Sequence, residues 1–193
     1  MPTSRLEAFS DGVIAILITI MILELKVPHG TDWDALRPIV PAFLTYILSF
    51  IYLGIYWNNH HHLLSVTGRI NGRILWANLH LLFWLSLVPV TTGWMGENDF
   101  SALPTAAYGV DLLFAAISYY ILQSAIVAEQ GPDSKIAGAL GSDLKGKISP
   151  VLYTVAIPLA FVSRWISLGL YIAVALMWLI PDRRLESVAG AGS

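Results

Sequence analysis

The sequence predicts an all-α membrane protein with six transmembrane helices per subunit, on three observations. Of its 193 residues, 56% are hydrophobic and only 12% charged, about half the charge that a soluble domain carries. Six apolar segments reach or approach the roughly 20 residues that span hydrocarbon. Lys and Arg are shared unevenly between the segments that join them. The chain has no cysteine, which excludes disulfides, thiolate metal sites and cysteine nucleophiles. A net charge of −2 makes no case for a nucleic-acid partner.

In chain order, the first span is expected from Gly12 to Val27 and the second from Pro41 to Trp57. The third runs from Ile74 to Trp94 and the fourth from Pro104 to Ala128. The fifth, Ile148 to Ser163, and the sixth, Trp165 to Pro181, are short and nearly abut, so they read as a tight helical hairpin with Arg164 at its tip. Trp33, Trp57, Trp76, Trp94, Trp165 and Trp178 fall near span ends, where amphipathic rings prefer the interface. Acidic Glu7 and Asp11 precede the first apolar stretch and no small-residue cleavage site follows it, so a retained helix is expected rather than a signal peptide. Residues 1–184 form one expected six-helix domain. Glu129 to Lys147, rich in Gly, Asp, Ser and Lys, is an expected flexible cytoplasmic connector, and residues 185–193 an expected disordered tail.

Orientation follows from the basic residues. With the N-terminus inside, the cytoplasmic segments carry Arg5, Arg69, Arg73, Lys135, Lys145, Lys147, Arg183 and Arg184. The outer segments carry only Lys26, Arg37 and Arg164. That bias fits an even number of spans with both termini cytoplasmic, an integral protein of a plasma membrane.

Ionisable and amide side chains are costly in hydrocarbon, so each one in or beside a span requires a reason. The first helix opens with Arg5, Glu7, Phe9, Ser10, Asp11 and Gly12. One reading makes Ser10 or Asp11 the helix cap, with the carboxylate complementing the helix start. The other makes them a buried polar cluster that fixes this helix against its neighbours, with Asn78 and His80 of the third span as partners. Beyond Asp11, Ile16, Ile20 and Leu23 recur at spacings of four and three and form one stripe, with Thr19 beside it. Such a stripe is commonly core or lipid face, and spacing alone does not make it a pore. Glu24 stands at the outer end, near Lys26. His60, His61 and His62 close the second helix. Consecutive helical residues point about 100° apart, so the three cannot converge on one metal. They are expected to bond between helices and line a wet vestibule. Asp111 lies inside the fourth span, either paired with a neighbouring helix or in a wet crevice.

The string from Arg5 to Thr19, with Phe9-Ser10-Asp11 four residues after Arg5, resembles the signature of the lysosomal potassium channel family (transmembrane protein 175) and its bacterial members. Tyr56-Trp57-Asn58-Asn59-His60-His61 resembles the end of that family's second helix. Asn78-Leu79-His80-Leu81-Leu82-Phe83 and Pro89 resemble its third. The resemblance covers the first half of the chain, and a single six-helix copy looks like a bacterial member. Ile14 and Leu17 depart from the family's pattern, standing where an aromatic and a smaller residue are expected.

The resemblance implies a homotetrameric cation channel, not an enzyme. Its permeant ion would be K+, it would need no cofactor and no metal, and its partners would be copies of itself, the bilayer and monovalent cations. The first helix of each subunit would line the pore. Ile16 would form the constriction, Ile20 and Leu23 further rings, and Thr19 would offer a hydroxyl to a partly hydrated ion. Arg5, Phe9, Ser10, Asp11, Asn78 and His80 would form the structural cluster. An apolar neck of this kind gates by dewetting. Two alternatives stand beside it: a small proton-coupled secondary transporter using Asp111 or Glu24, and a membrane metalloenzyme built on His60, His61, His62 and His80.

Overall fold

Thr3–Leu23 forms α1, which begins nine residues before the expected start at Gly12 and stops short of Val27. The computed structural model describes residues 2–131, 134, 137–138 and 144–179. The polar opening of α1 is helical because its side chains find partners on neighbouring helices, which a hydropathy reading does not register. Pro2 is the N-cap residue, so neither Ser10 nor Asp11 caps the helix. A single 3-10 turn, Trp33–Leu36, capped by Asp32 accepting from the Ala35 amide, leads to the second helix. That helix, α2 (Val40–Ser65), continues two turns beyond Trp57 and carries the three histidines. Then come α3 (Gly72–Glu97), α4 (Ala102–Gln130), α5 (Leu144–Leu159) and α6 (Arg164–Leu179).

Four helices, α1 to α4, are long and apolar enough to cross a membrane. At 16 residues each, α5 and α6 are about 24 Å long, shorter than a typical hydrocarbon core of about 30 Å. They form the expected hairpin, with Arg164 opening α6 and its Nη1 donating to the Asp99 carbonyl at 3.0 Å. Lys135, Pro181, Arg183, Arg184, the middle of the Gly-rich connector and the expected tail lie outside the described residues.

α3 is the hub. It packs on α1, α2 and α4, while α4 in turn carries α5 and α6. The core accordingly falls into two parts. One gathers α1 to α4 around fully buried Ile14, Leu53, Leu63, Ile74, Leu81 and Leu85. The other gathers α2, α4, α5 and α6 around Tyr52, Tyr108, Tyr153 and Tyr171. Hydroxyls inside a membrane protein need internal partners, and here they have them. Tyr52 donates to the Tyr171 carbonyl at 2.6 Å, Tyr153 to Tyr52 Oη at 3.2 Å, and Tyr171 to the Thr105 carbonyl at 3.1 Å. Ser49 bridges Thr92 at 2.6 Å and Tyr108 at 3.0 Å.

Small residues set how closely the helices approach. A Cβ added at Gly96 would stand 2.7 Å from the Ala42 Cα, where α2 meets α3. One at Gly109 would overlap the Tyr171 hydroxyl, while one at Gly169 would meet nothing within 4 Å. Gly96→Ala and Gly109→Ala are therefore expected to destabilise the fold by about 1–3 kcal/mol through overpacking. Gly169→Ala, on an open helix face, should be neutral or stabilising by up to about 1 kcal/mol. Thermal unfolding of the three variants in one detergent checks this. Equal melting temperatures would remove the two glycines from the helix contacts.

Candidate functional site

The two faces of α1 differ in kind. Leu6, Ser10, Ile14, Leu17 and Met21 are buried. Phe9, Ile16, Ile20 and Leu23 are 53%, 58%, 40% and 82% exposed within a lone subunit, and Thr19 is exposed among them. Ile16, Ile20 and Leu23 thus share an uncovered aliphatic stripe, while Leu17 and Met21 pack into the subunit's own core. Thr19 Oγ1 donates to the Ile16 carbonyl at 2.8 Å. With its hydrogen turned into the helix, this hydroxyl presents only lone pairs outward, the polarity suited to a cation.

The buried face is joined to α2 and α3 by a directed relay of hydrogen bonds. Ser10 donates to the Leu6 carbonyl at 2.9 Å, so its oxygen must accept from any other partner. Asn78 Nδ2 donates to Ser10 Oγ at 3.0 Å. The Asn78 carbonyl oxygen then faces His60 Nε2 at 2.7 Å, which requires His60 to be the donor. Ser10, His60 and Asn78 are completely buried. His60 Nδ1 is left buried with no hydrogen-bond partner.

Further contacts extend the same seam. Asp11 Oδ1 accepts from the Trp57 indole at 3.0 Å, Glu7 pairs with His61 at 2.6 Å, and Thr3 donates to the Thr67 carbonyl at 3.2 Å. Positions 3, 7, 10 and 14 lie on one side of a helix, so the polar contacts and the apolar core occupy one stripe.

Of the expected cluster, Ser10 and Asn78 meet directly, and Asp11 is anchored to α2 rather than to α3. His80 is not part of it. It is exposed on α3 and accepts from the Trp84 indole at 3.1 Å; two positions past Asn78, it points about 200° away around the helix. Arg5 is exposed, with no hydrogen bond or ion pair from its side chain among the described residues, and Phe9 is exposed as well. His60 and His61 do bond between helices, to Asn78 and Glu7; the partners that sequence reasoning missed are Trp57 and Glu7. A signal existed: Trp57, His60 and His61 sit at helical spacings of three and four, as do Glu7, Ser10 and Asp11.

The other polar residues lie elsewhere. His61 and His62 touch ring to ring, yet among the described residues no three His, Asp or Glu groups come together to hold a metal. Asp111 is 2% exposed; its Oδ2 accepts from Thr91 at 3.0 Å and its Oδ1 has no partner. Glu24 lies over Gly93, in a cavity between the C-terminal ends of α1 and α3 and the N-terminal end of α2, where Lys26 and Glu97 pair at 2.8 Å.

Comparison with known proteins adds to this geometry. A family profile described as endosomal/lysosomal potassium channel TMEM175 matches residues 5–89, the stretch that holds both faces of α1 and the relay. A protein of Chryseobacterium sp. named as a potassium channel is 55% identical over 96% of this chain and 97% of its own. A Streptomyces collinus protein, also named as a potassium channel, is 31% identical over 91% of each chain. The crystal structure of a lysosomal potassium-selective channel TMEM175 homolog from Chamaesiphon minutus superposes with a TM-score of 0.79 at 28% identity, covering 93% of this chain and 97% of that one.

Asn78→Ala removes the centre of the relay: His60 Nε2 loses its buried acceptor, while Ser10 loses the donor to its oxygen but keeps its own bond to the Leu6 carbonyl, at a total cost of about 1–3 kcal/mol. His80→Ala touches only an exposed contact and should change stability by no more than about 0.5 kcal/mol. Melting temperatures of the purified variants decide the matter. An equal loss at the two positions would show that α1 is not held by this relay.

Proposed function

This chain belongs to the TMEM175 family of potassium channels, and on that premise we propose a potassium-permeable pore lined by four copies of α1 around a symmetry axis. The family consists of passive ion channels rather than enzymes. The observation that carries the reading is the uncovered stripe of Ile16, Ile20 and Leu23 on a helix whose opposite face is tied by hydrogen bonds into its own subunit. A helix held that firmly on one side presents a fixed row of side chains on the other.

Four such rows brought together by cyclic symmetry make a path that no single six-helix bundle offers. Ile16 sets the neck. Its side chain cannot replace a hydration shell, so the neck conducts when wet and closes by dewetting, without a moving plug. Thr19 supplies the lone pairs that meet the partly hydrated ion. The pore needs no cofactor; its cargo is K+.

We infer that both termini face the cytoplasm of a bacterial plasma membrane; the excess of Lys and Arg at that end supports this reading, as do the ion pairs. At the opposite end, Lys26 is paired with Glu97, Arg37 with Asp34 at 3.1 Å, and Arg164 is held by the Asp99 carbonyl. Arg5, Arg69 and Arg73, at the end assigned to the cytoplasm, are exposed and carry no ion pair among the described residues.

Ile16→Asn and Ile16→Ala should raise cation flux and lower the preference for potassium over sodium by roughly an order of magnitude, equivalent to about 1.4 kcal/mol. Ile20→Ala should act in the same direction more weakly. Ile22→Ala, equally exposed but about 120° away from Ile20 and Leu23 taken together, serves as the control. Reversal potentials in liposomes holding only this protein report selectivity independently of protein amount. Unchanged potentials in Ile16 variants that still conduct would take Ile16 out of the neck. Native mass spectrometry in mild detergent is expected to show four subunits; monomers or dimers alone would overturn the shared pore.

A further inference from the structure

On the side of α3 away from the relay, Arg73, Trp76, Ala77 and His80 line an open groove of about 880 Å³ whose other wall is Ile121 and Ala125 of α4. The α3 residues fall at spacings of three and four, so they form one continuous strip.

The chemistry of the groove is one-sided. The Trp84 indole can only donate, so His80 Nε2 accepts its hydrogen and the imidazole hydrogen lies on Nδ1. Among the described residues, neither Arg73 nor the Trp76 indole has a hydrogen-bond or ion-pair partner, and Trp76 is 75% exposed. The one amide at the rim, Asn71, accepts on Oδ1 from the Ile74 amide and donates from Nδ2 to the Glu129 carboxylate, which it holds at the edge of the groove. The groove proper therefore offers a guanidinium and two neutral N–H donors above an apolar wall.

We propose that this groove seats an anionic phospholipid of the leaflet that faces the N-terminus of α1. Arg73 to His80 is seven residues, about 10 Å along the helix, enough to cross the roughly 5–8 Å polar layer of one leaflet and reach the top of the hydrocarbon. Arg73 forks onto the phosphate. The Trp76 and His80 N–H groups meet the ester carbonyls, which only accept. Ala77, Ile121 and Ala125 bear the first methylenes of an acyl chain. Charge complementarity selects the headgroup: a zwitterionic lipid brings its own cation to Arg73, whereas phosphatidylglycerol does not.

The test is native mass spectrometry of the delipidated protein with added phosphatidylglycerol or phosphatidylcholine of identical chains. Phosphatidylglycerol is expected to bind at least about fivefold more tightly. Arg73→Gln should reduce that binding about tenfold, and Ile121→Trp, which fills the groove without changing charge, should reduce it as well. Arg69→Gln removes the same charge at the same end but outside the groove, and should leave binding within about twofold. Equal affinity for the two lipids, or equal losses in Arg73→Gln and Arg69→Gln, would overturn the site in favour of diffuse attraction. A disulfide formed between subunits by Trp76→Cys, in a chain otherwise free of cysteine, would also overturn it by assigning the groove to a second copy.

Discussion

The relay from His60 through Asn78 and Ser10 to the Leu6 carbonyl fixes the rotation of α1, and the exposed face follows from that rotation. Successive helical residues are separated by about 100°, so turning α1 by one position would replace Ile16 with Ala15 or Leu17 on its uncovered side. Apolar packing alone discriminates weakly between such settings, because Ile14, Leu17, Ile18 and Ile22 are all aliphatic. A hydroxyl, an amide and an imidazole that each satisfy one another's geometry discriminate strongly, since any other setting strands them in a medium without water. The polar residues that look most out of place in the first span are those that specify it.

The remaining helices support this arrangement in tiers. α3 receives α1 and α2 on one part of its surface and α4 on another, and α4 carries the α5–α6 hairpin through the tyrosine core. The two most sparsely buried long helices are α1 and α2; α2 also reaches α6, through Tyr52 and the Tyr171 carbonyl. The division matches the two cores: one holds α1 with its uncovered aliphatic stripe, and the other is built from tyrosine hydroxyls that find backbone carbonyls across helix boundaries.

Much of this was legible in the residues. Six apolar runs gave the six helices, and the closeness of the fifth and sixth around Arg164 gave their hairpin. The spacing of Ile16, Ile20 and Leu23 gave one stripe, and the Arg5 to Thr19 string pointed to the family. What stayed hidden depends on register between helices. The polar start of α1 reads as pre-helical until Trp57, His61 and Asn78 are brought beside it. Asn78 and His80 stand two positions apart and appear equivalent in sequence, yet helix geometry sends one into the relay and the other to an open groove. Helix geometry kept His60, His61 and His62 from reading as one metal site and pointed to bonds between helices, but it did not say which histidine would meet Asn78.

The uneven fastening of α1 along its length has a mechanical consequence. Its first three turns are bound by Thr3, Glu7, Ser10 and Asp11, whereas the polar contact at its far end, between Lys26 and Glu97, lies in solvent. In the proposed pore such a helix would tilt about Ser10. Ile16 lies about 9 Å from that point along the helix and Leu23 about 20 Å, so a given tilt would displace Leu23 about twice as far as Ile16.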